Sequence, residues 1–129
     1  MRREQWTESL PPDDRMLAWS GLLTSLVYAR PWHELIPVLA HRIVTLFGTV
    51  EDRRARMSAA CCVLAALTMT CDSFEAGESI VAASADLLDH PEINPSDSIW
   101  LRQVRGYFRF VQARYEEAWA DIDAACALA

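Results

Sequence analysis

Apolar residues recur every three or four positions in six stretches of the chain, a spacing that places them on one side of an α-helix. In the fifth stretch, for example, Leu101, Val104, Phe108 and Val111 follow one another at such intervals. The sequence therefore predicts an all-α protein. The six predicted helices span about 13–29, 32–47, 51–70, 74–89, 97–111 and 115–129.

Short polar or proline-containing breaks separate the predicted helices. We expect Gly48 to end the second helix, Asp72-Ser73 to cap the fourth, and either Ser96 or Asp97 to cap the fifth. The segment 91–97 contains two prolines and is predicted to be the clearest loop. The third predicted helix carries no charged residue from Met57 onwards, which is typical of a helix covered by neighbours on several sides.

Three aromatic-led segments recur at nearly constant spacing, beginning at Trp32, Phe74 and Tyr115. Each follows one predicted helix and a short break, and each opens a second helix. The chain is therefore predicted to contain three copies of a helical hairpin. The hairpins would span about 13–47, 51–89 and 97–129, after a polar N-terminal arm over residues 1–12.

Small residues stand at matching distances around two of these aromatic residues. They are Ala65, Gly77 and Ser84 around Phe74, and Gly106, Ala118 and Ala125 around Tyr115. This pattern resembles the tetratricopeptide repeat, although larger residues stand at these positions in the first repeat, namely Leu23, Leu35 and Arg42. The resemblance implies hairpins stacked as a short right-handed α-solenoid. It also implies packing roles for Trp32, Phe74, Gly77, Gly106, Tyr115, Ala118 and Ala125.

The repeat period exceeds the 34 residues usual for that family. Longer, looser repeats of this kind resemble the helical-repeat regions of large bacterial signalling ATPases and transcription activators of the MalT/LuxR type, over about residues 13–129. In that family such a region serves as a sensor or protein-binding arm. The resemblance implies that this chain is a fragment of a longer regulator, with neighbouring domains that it lacks.

Aromatic residues on the fifth helix form a candidate binding surface. In a tetratricopeptide arrangement Trp100, Gln103, Tyr107 and Phe110 would point into the concave groove. Such side chains suit an apolar peptide or a partner helix. Alternatively, the rings pack against a following repeat.

Three arginines, Arg102, Arg105 and Arg109, form a second stripe on the same helix. They are candidates for contact with carboxylates or phosphates. Alternatively, they form ordinary ion pairs with Glu116, Glu117 or Asp121. The corresponding groove positions of the second repeat, Ala59, Cys62, Ala66 and Met69, add no basic residue.

The net charge of −6 argues against direct binding to nucleic acid or to an anionic membrane surface. All twelve basic residues are arginine, which favours a high-GC bacterial genome. Because no signal peptide is recognised and the four cysteines read as buried apolar residues, we expect a reducing cytoplasm.

Neither the cysteines nor the scattered His33, His41 and His90 have the spacing of a metal or catalytic site. We therefore expect no catalytic residues, metal or cofactor, and predict a non-enzymatic module that binds a protein partner or an effector. The alternative is a structural spacer or oligomerisation segment that forms a homodimer through its exposed terminal hairpin.

Overall fold

The computed structural model describes residues 5–71 and 73–129, and within them every regular element is a helix. The all-α prediction is confirmed. The helices are α1 (Gln5–Glu8), α2 (Pro12–Ala29), α3 (Leu35–Phe47), α4 (Arg53–Thr70), α5 (Phe74–Ser84), α6 (Pro95–Val111) and α7 (Tyr115–Leu128), with a 3-10 turn, Ala85–Leu87, directly after α5.

The N-terminal arm packs back onto α2, as far as it lies within the described residues. Arg15 donates hydrogen bonds to the carbonyl oxygens of Thr7, Glu8 and Leu10, at 3.0, 2.7 and 3.0 Å. The Trp19 indole donates to the Thr7 hydroxyl at 3.3 Å. Side chains of α2 thus fix the course of the chain before it.

Helix α3 begins at Leu35, three residues later than the predicted start at Trp32. The intervening residues form a turn, in which the His33 amide donates to the Arg30 carbonyl at 2.9 Å and the Leu35 amide donates to His33 Nδ1 at 3.1 Å. Trp32 therefore lies outside the helix, and its side chain is 84% exposed. The packing role predicted for Trp32 is wrong, because the turn directs the ring into solvent.

Helix α6 begins at Pro95, and its cap is Asn94 instead of the predicted Ser96 or Asp97. The Asn94 side chain accepts a hydrogen bond from the Ser96 amide at 2.9 Å. Proline suits the first helical position, because its fixed φ is helical and its missing amide hydrogen is not needed there. The loop before α6 consequently ends earlier than predicted.

Helix α3 ends where the sequence predicts, whereas α5 ends earlier. Gly48 does end α3. Asp72, one of the two predicted caps of α5, lies outside the described residues, and Ser73 adopts a left-handed conformation with φ 52°. Helix α5 ends at Ser84, earlier than predicted, and the Ser84 hydroxyl donates to the Ile80 carbonyl at 2.6 Å. Such back-bonding tends to bend a helix.

Helix α4 lies at the centre of the structure and contacts α2, α3, α5 and α6. Ten of its residues are buried, among them Cys61, Val63 and Leu64, which are fully inaccessible. The prediction of a central helix covered on several sides is confirmed. Helices α2 and α6 both contact α4. In addition, α2 contacts α3, and α6 contacts α7.

Glycine allows two close approaches between helices. A Cβ atom at Gly77 of α5 would lie 2.1 Å from Cζ of Phe108 in α6, and Phe108 is fully buried. Phe74 packs edge-on against the same ring, with centroids 5.9 Å apart. A Cβ at Gly106 of α6 would lie 3.0 Å from Cδ1 of Ile122 in α7. A side chain at either position would force its neighbour to move.

Candidate interaction surface

An open groove of about 280 Å³ crosses α2, α4 and α6, and we call it the central groove. Nine described residues line it: Val27, Tyr28, Ala65, Thr68, Met69, Trp100, Gln103, Val104 and Tyr107. None of these nine residues carries a charge. The groove therefore presents mainly apolar and aromatic surface, with the amide of Gln103 and the hydroxyls of Thr68, Tyr28 and Tyr107 as hydrogen-bonding groups.

Three of the four residues predicted for the concave surface, Trp100, Gln103 and Tyr107, line this groove together. The Gln103 amide nitrogen lies 3.4 Å from the Tyr107 hydroxyl, to which it donates. Phe110 is not among the lining residues. Its ring packs edge-on against Tyr115 with centroids 5.4 Å apart, nearer the turn into α7.

Helix α4 contributes to the groove in a register different from the predicted one. Of the four positions expected from the second repeat, only Met69 lines the groove; Ala59, Cys62 and Ala66 are buried. Ala65 and Thr68 line the groove instead. The predicted positions were wrong because α2, α3, α5 and α6 all contact α4, and these neighbours cover more of its surface than the pattern of one helix reveals.

Tyr28 and Val27 complete the groove from α2, and sequence reasoning did not identify them. Tyr28 is 79% exposed although it lies in the last turn of a helix that packs on the core. The sequence did contain a signal for Tyr28, because this large aromatic residue directly follows the apolar Leu26 and Val27 in the first predicted helix. Tyr107 and Met69 are about half exposed and Trp100 is 36% exposed, so the groove offers substantial apolar area to a partner.

Two of the four cysteines, Cys61 and Cys62, are buried as predicted and are not suited to covalent chemistry, whereas Cys71 and Cys126 are exposed, contrary to the prediction. Cys62 is buried, and its sulfur lies 2.7 Å from the Thr24 hydroxyl oxygen. Burial raises the pKa of the Cys62 thiol, and burial likewise raises the pKa of Cys61. A raised pKa keeps a thiol protonated, and the protonated form is a poor nucleophile.

The arginine stripe is held in ion pairs with carboxylates. Arg102 donates to Asp89 at 2.9 Å. Arg105 and Arg109 both donate to Asp121, from Arg105 Nε at 2.9 Å and from Arg109 Nη1 at 2.7 Å. The pairing with Asp121 is one of the alternatives expected from the sequence, whereas the partnership with Asp89 was not foreseen. Contact of this stripe with an external anion stays a prediction.

The residues with predicted packing roles in the third repeat lie at the contact between α6 and α7. Ala118 and Ala125 are buried, and the Ala118 carbonyl oxygen would lie 3.3 Å from a Cβ at Gly106. Tyr115 remains 60% exposed despite its contact with Phe110. Small residues therefore bring these two helices close together, while Tyr115 covers the outside of the turn.

Histidine, cysteine and acidic side chains do not gather into a metal-binding group of three or more anywhere in residues 5–71 and 73–129. In the same part of the chain, no helix has both the length and the apolar character needed to span a membrane. No protein-family model matches the sequence, and searches of curated proteins and of solved structures found no significant match.

Proposed function

We propose that this chain is a non-enzymatic helical-repeat module that binds a protein or peptide partner through the central groove, within a bacterial signalling or transcriptional regulator. One observation carries the proposal. Trp100, Tyr107 and Met69 expose apolar surface in a groove shared by three helices, and none of its described lining residues is charged. Contiguous exposed apolar surface of this kind marks interaction sites.

We further propose that the helices form a short right-handed α-solenoid of the tetratricopeptide type. The contacts support this arrangement, because the first helices of successive pairs, α2, α4 and α6, touch in order, and α3 also touches α5. The close contact at Gly77 supports it as well. Solenoids of stacked hairpins present an extended concave surface, which is where these proteins bind partners.

The chemistry of the groove indicates what the partner presents to it. A charged side chain buried against the groove would find no opposite charge among the lining residues, and burial of an unpaired charge is costly. We therefore expect an uncharged segment with apolar side chains, either as one face of a helix or as an extended peptide. Gln103 and Thr68 can hydrogen-bond polar groups of that segment.

A displayed library of random peptides tests this proposal. Peptides are selected on the wild-type chain after depletion on the double variant Trp100→Ala, Tyr107→Ala, and the affinities of the enriched peptides are measured by calorimetry. Truncation of an aromatic hot-spot residue costs about 2 kcal/mol or more, so we expect each single substitution to weaken binding roughly thirtyfold. The enriched peptides should be apolar and uncharged at their centre.

Trp119→Ala provides a matched control, because Trp119 is an exposed tryptophan outside the central groove. This variant should bind the selected peptides with the wild-type affinity. The proposal fails if no peptide distinguishes the wild-type chain from the double variant. It also fails if Trp119→Ala weakens binding as much as Trp100→Ala does.

A further inference from the structure

A second groove, of about 430 Å³, lies between α2 and α3, and we call it the end groove. Leu22, Leu26 and Val38 are among its apolar lining residues. On α2, Leu22 and Leu26 are each followed by a residue that is buried in the core, Leu23 and Val27. The end groove therefore lies at the edge of the core, beside the buried side of α2. Leu22 and Val38 are each more than 40% exposed within it.

The charged residues that line the end groove are basic. Arg30, His33 and Arg42 are its ionisable lining residues, and no acidic residue belongs to the described part of the lining. An apolar groove with basic residues among its lining matches a partner that presents an apolar side chain among carboxylates.

Helix α7, in the last helical pair, has this complementary character. Its Trp119 is 72% exposed, and Glu116 and Asp123 lie on the exposed surface about one turn before and one turn after it. Two other acids of α7, Glu117 and Asp121, pair with arginines of the same chain. Among the ion pairs of the described residues, none involves Glu116 or Asp123. Helix α7 itself contains no basic residue.

We propose that copies of this chain associate head to tail, with Trp119 of one copy in the end groove of the next. A second copy is the occupant favoured by the structure, because one contact covers both exposed apolar surfaces and brings opposite charges together. Glu116 and Asp123 then face the basic residues of the groove. The two surfaces differ, so the interface is heterologous, and each added copy leaves one groove and one α7 open.

This head-to-tail interface is separate from the central groove. Two variants test it, and each variant disables one of the two surfaces that form the interface. Trp119→Ser removes the aromatic side chain, but it leaves the end groove intact. Val38→Glu places a carboxylate in the end groove, but it leaves Trp119 intact. Sedimentation equilibrium over a concentration series measures the assembly of the wild-type chain, of each variant and of their equimolar mixture.

We expect the mean mass of the wild-type chain to rise with concentration beyond that of a dimer. Each variant alone should remain a monomer, because every contact between two copies needs both surfaces. The mixture should form a one-to-one dimer and nothing larger, since one Trp119 and one intact end groove are available in each pair. This complementation is specific to a heterologous interface.

Ser79→Glu adds a charge to an exposed position of α5 and should assemble like the wild-type chain. Circular dichroism of the variants checks that their helix content is unchanged. A wild-type chain that stays monomeric at every concentration overturns the proposal, as does assembly of either variant alone. A mixture that remains monomeric also overturns it, and a wild-type dimer in that case would point to α7 pairing with itself.

Discussion

Asp121 is a single buried carboxylate that joins two helices. Its side chain is 4% exposed, and it accepts hydrogen bonds from Arg105 and Arg109 across the contact between α6 and α7. The sequence suggested Asp121 as a partner of the arginines. Its burial could not be predicted, because burial depends on how closely α7 approaches α6 at Gly106.

Replacing Asp121 by Ala should destabilise the protein by about 3 kcal/mol, because two largely buried guanidinium groups would lose a shared carboxylate. Urea unfolding followed by circular dichroism measures the change. Asp123→Ala is the matched control, since Asp123 is exposed two residues further along α7, and it should change the stability by less than about 0.5 kcal/mol. Equal stabilities of the two variants would show that the buried ion pairs are not formed.

Gly77 illustrates a residue whose role is only partly visible in the sequence. Its position in the repeat predicted that a small side chain was needed there. The sequence did not show that even a methyl group is too large, because the obstacle is the ring of Phe108, 31 residues further along the chain. Contacts so distant in sequence depend on the packing of whole helices.

Gly77→Ala should lower the free energy of unfolding by about 1–3 kcal/mol, the usual cost of overpacking a core. The added Cβ would lie 2.1 Å from a ring carbon of Phe108, so this fully buried ring or the helices that carry the two residues must shift. Thermal and urea unfolding both report the change.

Gly21→Ala provides a control of opposite sign. A Cβ at Gly21 meets no atom within 4 Å, and the residue lies inside α2. Alanine at such a site should raise stability by up to about 1 kcal/mol through its better helix propensity. If Gly77→Ala were also stabilising, α5 and α6 would not pack as described.

At the scale of single elements, hydrophobic spacing predicted which segments are helical, but local hydrogen bonds set their ends. The predicted start of α6 lay at Ser96 or Asp97, yet Asn94 caps the helix and Pro95 occupies its first position. A Pro-Ser-Asp sequence offers several plausible caps. Only the backbone conformation of Asn94, with ψ 133°, distinguishes the residue whose side chain reaches the Ser96 amide.

Asn94→Ala should therefore destabilise the protein by about 1 kcal/mol, since it removes the capping acceptor of α6. Asn94→Asp should retain most of the stability, because a carboxylate also accepts this hydrogen bond. Ser96→Ala serves as the control, and its unfolding midpoint in urea should match that of the wild-type chain. A larger loss for Ser96→Ala than for Asn94→Ala would place the start of α6 where the sequence alone suggested.

The whole molecule brings together groove residues that lie far apart in the sequence. Three of the four predicted residues of α6 line the central groove, but Tyr28 of α2 and Thr68 of α4 join them only through the way the three helices pack. A pattern within one helix identifies its own exposed aromatic residues. It does not identify which neighbouring residues share their surface, so about half of the groove could not be predicted.

The central claim is that the central groove binds a partner, and it is tested most directly by the tryptophan side chains themselves. The chain contains five tryptophans, of which Trp100 lines the central groove, while Trp32 and Trp119 are exposed outside it. Their indole N–H signals are followed in a proton–nitrogen correlation spectrum during titration with a peptide selected as above. Binding in the groove predicts a saturable shift of the Trp100 signal, with the Trp32 and Trp119 signals unchanged. A shift of Trp119 or Trp32 with an unmoved Trp100 would contradict the account.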